Sequence, residues 1–246
     1  MKPLIVANWK MNPQTYKEAE DLIKDVLQYM KAAKGVEVVL CPPFTWLTDF
    51  SHKNKSAATF GAQDVFYERK GAFTGEISPE MLKNSNVEYV IVGHSERRNY
   101  FGETDEIVNK KVKAAVGAGL KVILCVGEHA GEDKSAVLEK QITEGLKGIT
   151  RDQAKNMVIA YEPVWAIGTG NNCSVDVAMG SILFVRKIIS QLYRRELADN
   201  MRILYGGSVK SENSGAYIKE GGANGLLVGG ASLNAGEFVK IVKSCL

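Results

Sequence analysis

The chain has no pair of cysteines in CxxC spacing: Cys41, Cys125, Cys173 and Cys245 lie scattered along 246 residues. That scatter speaks against a zinc site and against the disulfide framework of a small secreted fold, so reduced thiols in a cytoplasmic protein are the expected state. HExxH, the GKS/T phosphate loop and the GxSxG elbow are all missing. Their absence removes the common signatures of zinc proteases, P-loop NTPases and α/β-hydrolases. No cluster of His, Asp and Cys has ligand spacing, so no metal is expected. The net charge is only +3 and no Lys/Arg block interleaves with aromatics, which leaves nucleic acid outside the expected partners. A mildly positive balance does tolerate a small anion. No apolar run reaches membrane-spanning length, and MKPLIVANWK, with only a short apolar run before Trp9 and Lys10, is not expected to act as a signal peptide. No Pro/Ser-rich linker divides the chain.

What is present is a rhythm. Short β-rich apolar runs occur at Leu4–Trp9, Val36–Cys41, Thr59–Gln63, Tyr89–Gly93, Lys121–Gly127, Val158–Glu162, Arg202–Gly207 and Gly225–Gly230. Unbroken Val/Ile/Leu runs, without alternation, point to strands buried on both faces, as in a parallel sheet. Between them lie helical patterns. In Thr15–Lys34 the positions Ala19, Leu22, Ile23, Val26, Leu27 and Met30 form one apolar stripe, and Gly35 stands where a C-terminal cap belongs. Thr104–Ala118 repeats the pattern, with acids in its first turn. Ser135–Lys147, Val175–Leu197, Asn213–Lys219 and Ala235–Lys243 are further helix candidates. Eight βα units of roughly 30 residues predict a (β/α)₈ TIM barrel, an α/β fold of eight parallel strands ringed by helices, with residues 1–246 as a single catalytic domain. An open doubly wound sheet is the alternative; no GxGxxG follows the first strand to support it.

In such a barrel, chemistry sits at the C-terminal ends of the strands. Those positions carry Asn8, Trp9 and Lys10, then Gln63, then Gly93-His94-Ser95-Glu96, Cys125, Glu162, Gly206-Gly207-Ser208 and Gly229-Gly230. Each has a plain alternative. Lys10 could be a solvated lysine, His94 a capping or packing histidine, and the glycine pairs tight turns. His52 and His129 read as surface residues. Glu96 is expected to pair with Arg97, Arg98 or a lysine and so to support the site from behind. Together the set reads differently: one carboxylate, one imidazole, one cation, and two glycine pairs on the loops where barrels most often bind phosphate. Paired carboxylates for glycoside hydrolysis are not evident. The kit suits proton abstraction beside a carbonyl on a small phosphorylated substrate.

The stretch VIAYEPVWAIGTG concentrates this reading. Glu162 ends an apolar run, Pro163 follows, and Val164, Trp165, Ala166, Ile167, Gly168 and Thr169 have the composition of a lid beside a reactive carboxylate. An ordinary strand-to-helix connection is the other reading of the same residues.

The motifs ANWKMN (Ala7–Asn12), GAFTGEIS (Gly71–Ser78), VGHSERR (Val92–Arg98), AYEPVWAIGTG (Ala160–Gly170), YGGSV (Tyr205–Val209) and LLVGGASL (Leu226–Leu233) occur in this order. Through them the chain resembles the triosephosphate isomerase family along essentially its whole length. The resemblance implies interconversion of dihydroxyacetone phosphate and D-glyceraldehyde 3-phosphate through an enediolate, in glycolysis and gluconeogenesis, with no metal or organic cofactor. It assigns Glu162 as base, His94 as the imidazole that polarises the carbonyl, and Lys10 and Asn8 as holders of the substrate and its developing charge. It further implies Gly168, Ser208, Gly229 and Gly230 as the phosphate cradle, Pro163 to Thr169 as the lid, and Glu96 and Cys125 as supporting residues. A homodimer is implied as well, with the loop at Phe73, Thr74 and Gly75 reaching the neighbouring subunit. Two stretches depart from the family pattern: a bulkier, more charged DVFYERK before that loop, and Asn171-Asn172-Cys173 in place of a Lys-Thr-Ala-like hinge. A different phosphosugar aldose–ketose isomerase and a catalytically silent barrel are the competing expectations.

Overall fold

The computed structural model describes residues 1–30, 35–53, 58–167 and 173–246. Among them are eight strands: β1 (Leu4–Asn8), β2 (Glu37–Cys41), β3 (Thr59–Ala62), β4 (Tyr89–Val92), β5 (Lys121–Val126), β6 (Met157–Tyr161), β7 (Arg202–Tyr205) and β8 (Gly225–Val228). They pair in chain order, all parallel, and β8 returns to β1 with Leu4 opposite Gly225, which closes the barrel. The (β/α)₈ expectation is therefore met, and the open-sheet alternative is not.

Side chains alternate across each strand, so one phase faces the barrel axis and the other faces the helices. Leu4, Val6, Val39, Cys41, Tyr89, Ile91, Ile123, Cys125, Val158, Ala160, Leu204 and Leu227 form the interior cluster. The opposite phase, including Ile5, Ala7, Val38, Leu40, Val90, Val122 and Ile203, packs with the helix residues in a larger shell. Both faces are dry, which is why the strands read as continuous apolar runs.

The runs overshoot the ladders by one or two residues, because Trp9, Gln63, Gly93, Glu162 and the glycine pairs lie just beyond the last paired residue. Helices occupy Tyr16–Met30, Asp105–Gly117, Lys134–Gly145, Ser211–Lys219 and Ala235–Ser244, close to expectation. The last turn expected for the first of these, at 31–34, lies outside the described residues. Thr104 caps its helix by accepting from the Ile107 N–H at 3.3 Å, a contact worth about 1 kcal/mol.

One helix needs correction. The pattern at Val175–Leu197 predicts a continuous helix, yet Val175–Tyr193 and Arg195–Asn200 are separate, divided at Arg194 with φ +76°. Tyr193 is tied by its hydroxyl to the carbonyls of Leu146 (3.3 Å) and Ile149 (3.0 Å), while Leu197 and Ala198 are buried beyond the break. Apolar spacing alone continues across such a break and does not reveal it.

The segment from Gln63 to Ser78 extends outward between β3 and the short helix Pro79–Asn84. Its root is held by a buried ionic cluster. Lys111 donates to Asp64 at 2.7 Å and pairs with Glu103, and Arg97 bridges the same two carboxylates. Burial pushes the Glu103 carboxyl up, but Lys111 and Arg97 outweigh it and hold it below the usual carboxylate range. At the tip, residues 69–76 are exposed; Phe73 leans on Phe66 with ring centroids 4.7 Å apart.

Candidate active site

The inward phase of the barrel explains which residues meet. Continuing it one step past the interior cluster brings Asn8, Glu162, Gly206 and Gly229 to the C-terminal mouth of the axis. At the two glycines no side chain fills the next layer, and a cavity of about 560 Å³ opens there. It is lined by Asn8, Lys10, His94, Glu162, Ile167, Ser208, Gly229 and Gly230 among others. Gly206 is required by space: a Cβ there would stand 2.9 Å from Cγ of Glu162.

Lys10 sits two residues beyond the β1 ladder with φ +54°, a strained conformation for a side-chain-bearing residue, costing of order 1–3 kcal/mol. Its neighbours hold it there. The Lys10 N–H donates to Oδ1 of Asn8 at 3.1 Å, and its carbonyl accepts from Nε2 of Gln63 at 2.8 Å. Gln63 also donates to the Cys41 carbonyl at 2.8 Å, anchoring the kink to β2. The kink carries the Lys10 ammonium to Glu96, with which it forms an ion pair at the cavity mouth. Of the partners expected for Glu96, the structure selects this lysine.

His94 is the N-cap of helix Ser95–Phe101 and is buried. Its Nδ1 accepts from the Glu96 N–H at 3.2 Å, so in the neutral ring the proton resides on Nε2. That nitrogen lies 3.2 Å from Oε1 of Glu162. Glu162 is itself 2% exposed; its other oxygen accepts from the Ser95 N–H at 3.3 Å, and its own N–H donates to the Val126 carbonyl at 2.8 Å. Cys125 lies beneath, one inward step down β5. Burial, then the charge of Glu162, pushes its thiol well above the ordinary range, with Arg98 acting in the opposite sense. A neutral, unreactive thiol packed against the carboxylate is the result.

The residues after Glu162 form a short 3₁₀ turn, Val164–Ala166. Val164 N–H donates to the Glu128 carbonyl at 3.0 Å, and Ser208 donates through its hydroxyl to the Ala166 carbonyl at 2.6 Å. The indole N–H of Trp165 and the hydroxyl of Tyr161 both donate to Oε1 of Glu128, each at 3.1 Å. Gly168, Thr169 and Gly170, and with them Asn171 and Asn172 of the expected hinge, lie outside the described residues. Cys173 is buried, which pushes its thiol up to about 11. Gly230 opens a second 3₁₀ turn, Gly230–Leu233, on the far side of the cavity, and the first N–H groups of such a turn have no partner within it.

Glu128 and Gln141 escape a reading based on strand ends. Glu128 stands one residue past Gly127, where the apolar run stops, and the same strand-end rule extended by one position would have found it. Gln141, on helix Lys134–Gly145, bonds to the backbone of Gly127 and carries no sequence signal that separates it from any polar helix residue.

The chain is similar to known proteins along nearly its whole length. A family model described as triosephosphate isomerase matches residues 3–245. The triosephosphate isomerase of Carboxydothermus hydrogenoformans is 48% identical over 250 residues, covering 100% of this chain and 99% of that protein. That of a Thermoanaerobacter species is 50% identical over 246 residues, with 98% of each chain covered. The enzyme of Geotalea uraniireducens is 47% identical, again with 98% of each chain covered.

Proposed function

Because the chain belongs to the triosephosphate isomerase family, we propose that Glu162, His94, Lys10 and Asn8 carry the family's reaction here. The protein is an isomerase that interconverts dihydroxyacetone phosphate and D-glyceraldehyde 3-phosphate through an enediolate, a step of glycolysis and gluconeogenesis. The observation that carries the residue assignment is the meeting of His94 Nε2 and Glu162 Oε1 at 3.2 Å on the wall of the cavity that Lys10 also lines.

The carboxylate of Glu162 takes a proton from the carbon beside the substrate carbonyl. The C–H electron pair becomes the C=C of the enediolate, and the carbonyl π pair moves to oxygen. That oxygen meets the proton on His94 Nε2, whose direction is fixed by the Glu96 N–H on the opposite nitrogen. Lys10 turns from Glu96 toward the negative charge of the substrate, and Asn8 supplies a polar group beside it. His94 gives its Nε2 proton to the former carbonyl oxygen and takes up the proton of the neighbouring hydroxyl. Glu162 then returns its own proton to the former carbonyl carbon, so that the C=C pair forms the new C–H bond and the second oxygen becomes the new carbonyl. This division between a carboxylate base and a neutral imidazole is the family's reference assignment. Ser208, Gly229, Gly230 and Gly168 grip the phosphate, largely through backbone N–H groups. Pro163 to Thr169 cover the substrate and exclude water from the intermediate.

The lid motif AYEPVWAIGTG favours a triose phosphate over a longer phosphosugar, which would need a longer cleft. A coupled assay of the purified protein with glyceraldehyde 3-phosphate is expected to show turnover. Correctly folded protein without detectable turnover would defeat the assignment.

Residues 1–246 are proposed as one catalytic domain in the cytoplasm. Among the described residues, no helix is long and apolar enough to cross a membrane. A homodimer is proposed on the exposed, projecting tip at Phe73, Thr74 and Gly75, rooted by the ionic cluster of Asp64, Glu103, Lys111 and Arg97. Light scattering at micromolar concentration is expected to give twice the 26.9 kDa of one chain. A species of 26.9 kDa alone would count decisively against the dimer.

A further inference from the structure

We propose that Gln141 is a positioning residue for the base Glu162, acting through the main chain of Gly127 and Glu128. The inference rests on the reading of Glu162 as the base. Gln141 projects from helix Lys134–Gly145 and grips both polar groups of one residue. Its Oε1 accepts from the Gly127 N–H at 2.8 Å, and its Nε2 donates to the Gly127 carbonyl at 3.3 Å. Gly127 is buried, so these groups have little access to water in its place.

Gly127 lies directly against the base. An added Cβ at this position would stand 1.7 Å from the carbonyl oxygen of Glu162, a closeness that only glycine permits. On either side of it the contacts continue. The Val126 carbonyl accepts from the Glu162 N–H, and the Glu128 carbonyl accepts from the Val164 N–H. The Glu128 carboxylate holds Tyr161 and Trp165, the residues that flank Glu162 at one and three positions. The main chain that carries the base therefore rests on residues 126–128, and Gln141 clamps the centre of that support.

His94 and Ser95 touch only the carboxylate tip. Behind it is a cavity of about 20 Å³ whose wall includes Cys125, Gly127, Gln141 and Glu162. Freed from Gln141, Gly127 can shift into that space, and the backbone of Glu162 moves with it. A displacement of about 1 Å in a catalytic group costs up to roughly a hundredfold in rate.

Gln141→Leu removes both hydrogen bonds at similar volume, and Gln141→Met does so with a more adaptable side chain should the leucine variant fold poorly. Each is expected to lower kcat about tenfold with KM changed less than about twofold, measured well below its melting temperature. With substrate deuterated at the carbon that loses its proton, the isotope effect on kcat is expected to rise, because a misplaced base slows that step in particular. Gln141→Glu keeps the acceptor for the Gly127 N–H, and its kcat is expected between the leucine variant and wild type. Wild-type kcat in both apolar variants would overturn the proposal, as would a loss of kcat with no rise in the isotope effect, which marks a merely structural tie. Should Glu162→Gln retain wild-type turnover, the base assignment itself fails, and that outcome is distinguishable from either.

Discussion

Glu162→Ala is expected to lower kcat by about 10³–10⁴-fold while the barrel stays folded, the upper part of the range for loss of a general base. The size follows from what surrounds the residue. Among the described residues lining the cavity, Glu212 and Glu237 belong to helices Ser211–Lys219 and Ala235–Ser244, and Glu237 is engaged by the Ser211 N–H and hydroxyl. Neither continues the inward phase of a strand as Glu162 does. The fold is expected to persist because, among the described residues, the carboxylate meets little more than the Ser95 N–H, His94 and the Cys125 thiol, whereas the residue's backbone is fixed by the Val126 carbonyl. Steady-state kinetics with far-ultraviolet circular dichroism on the same sample checks both halves. A folded alanine variant retaining a tenth of wild-type kcat would remove Glu162 from the mechanism.

His94→Asn is expected to lower kcat by about 10²–10³-fold, the usual loss when a preorganised donor to a developing oxyanion is withdrawn. Asparagine is the informative replacement. It is among the best N-cap residues, so the helix Ser95–Phe101 keeps an acceptor for its first N–H groups while the cavity loses the Nε2 donor. On the proposed assignment Lys10 and the phosphate cradle hold the ground-state substrate, so KM is expected to change little and the loss to fall on kcat. Unaltered kcat in this variant would mean that the imidazole proton takes no part.

Much of this site can be read along the chain, for a physical reason. A barrel strand is dry on both faces, so its apolar run is unbroken, and the first polar residue after it marks the mouth. Asn8, Lys10, His94 and Glu162 are all found this way. What stays hidden depends on geometry that spacing does not encode. The positive φ of Lys10 is held by its near neighbour Asn8 and by Gln63, which is far away in sequence. The choice of Lys10 over Arg97 or Arg98 as partner of Glu96 follows from that kink; Arg98 is instead committed to Gly93 and Asp105, and Arg97 to Asp64 and Glu103. The short helices Pro79–Asn84, Ser95–Phe101 and Arg151–Ala154 span too few turns for a 3.6-residue period to show. In the first of them Ser78 caps the start by accepting from the Met81 N–H at 3.3 Å, and Pro79 suits the first helical position.

The glycines at the mouth bear on stability as well as on room. From Leu4 and Tyr89 upward the axis of the barrel is stacked with side chains, and at Gly206 and Gly229 the stack stops short by one storey. On the proposed assignment, a triose phosphate seated there takes the volume that two side chains would otherwise fill. The substrate is in this sense a removable part of the protein's interior, present during turnover and absent between turnovers. Its occupancy and the folding equilibrium are then linked: a ligand that binds only the folded chain adds stability as RT ln(1 + [L]/Kd). A side chain introduced at Gly206 would take up the unfilled space permanently and crowd Cγ of Glu162, 2.9 Å from its Cβ, so catalysis would lose both the room and the placing of the carboxylate.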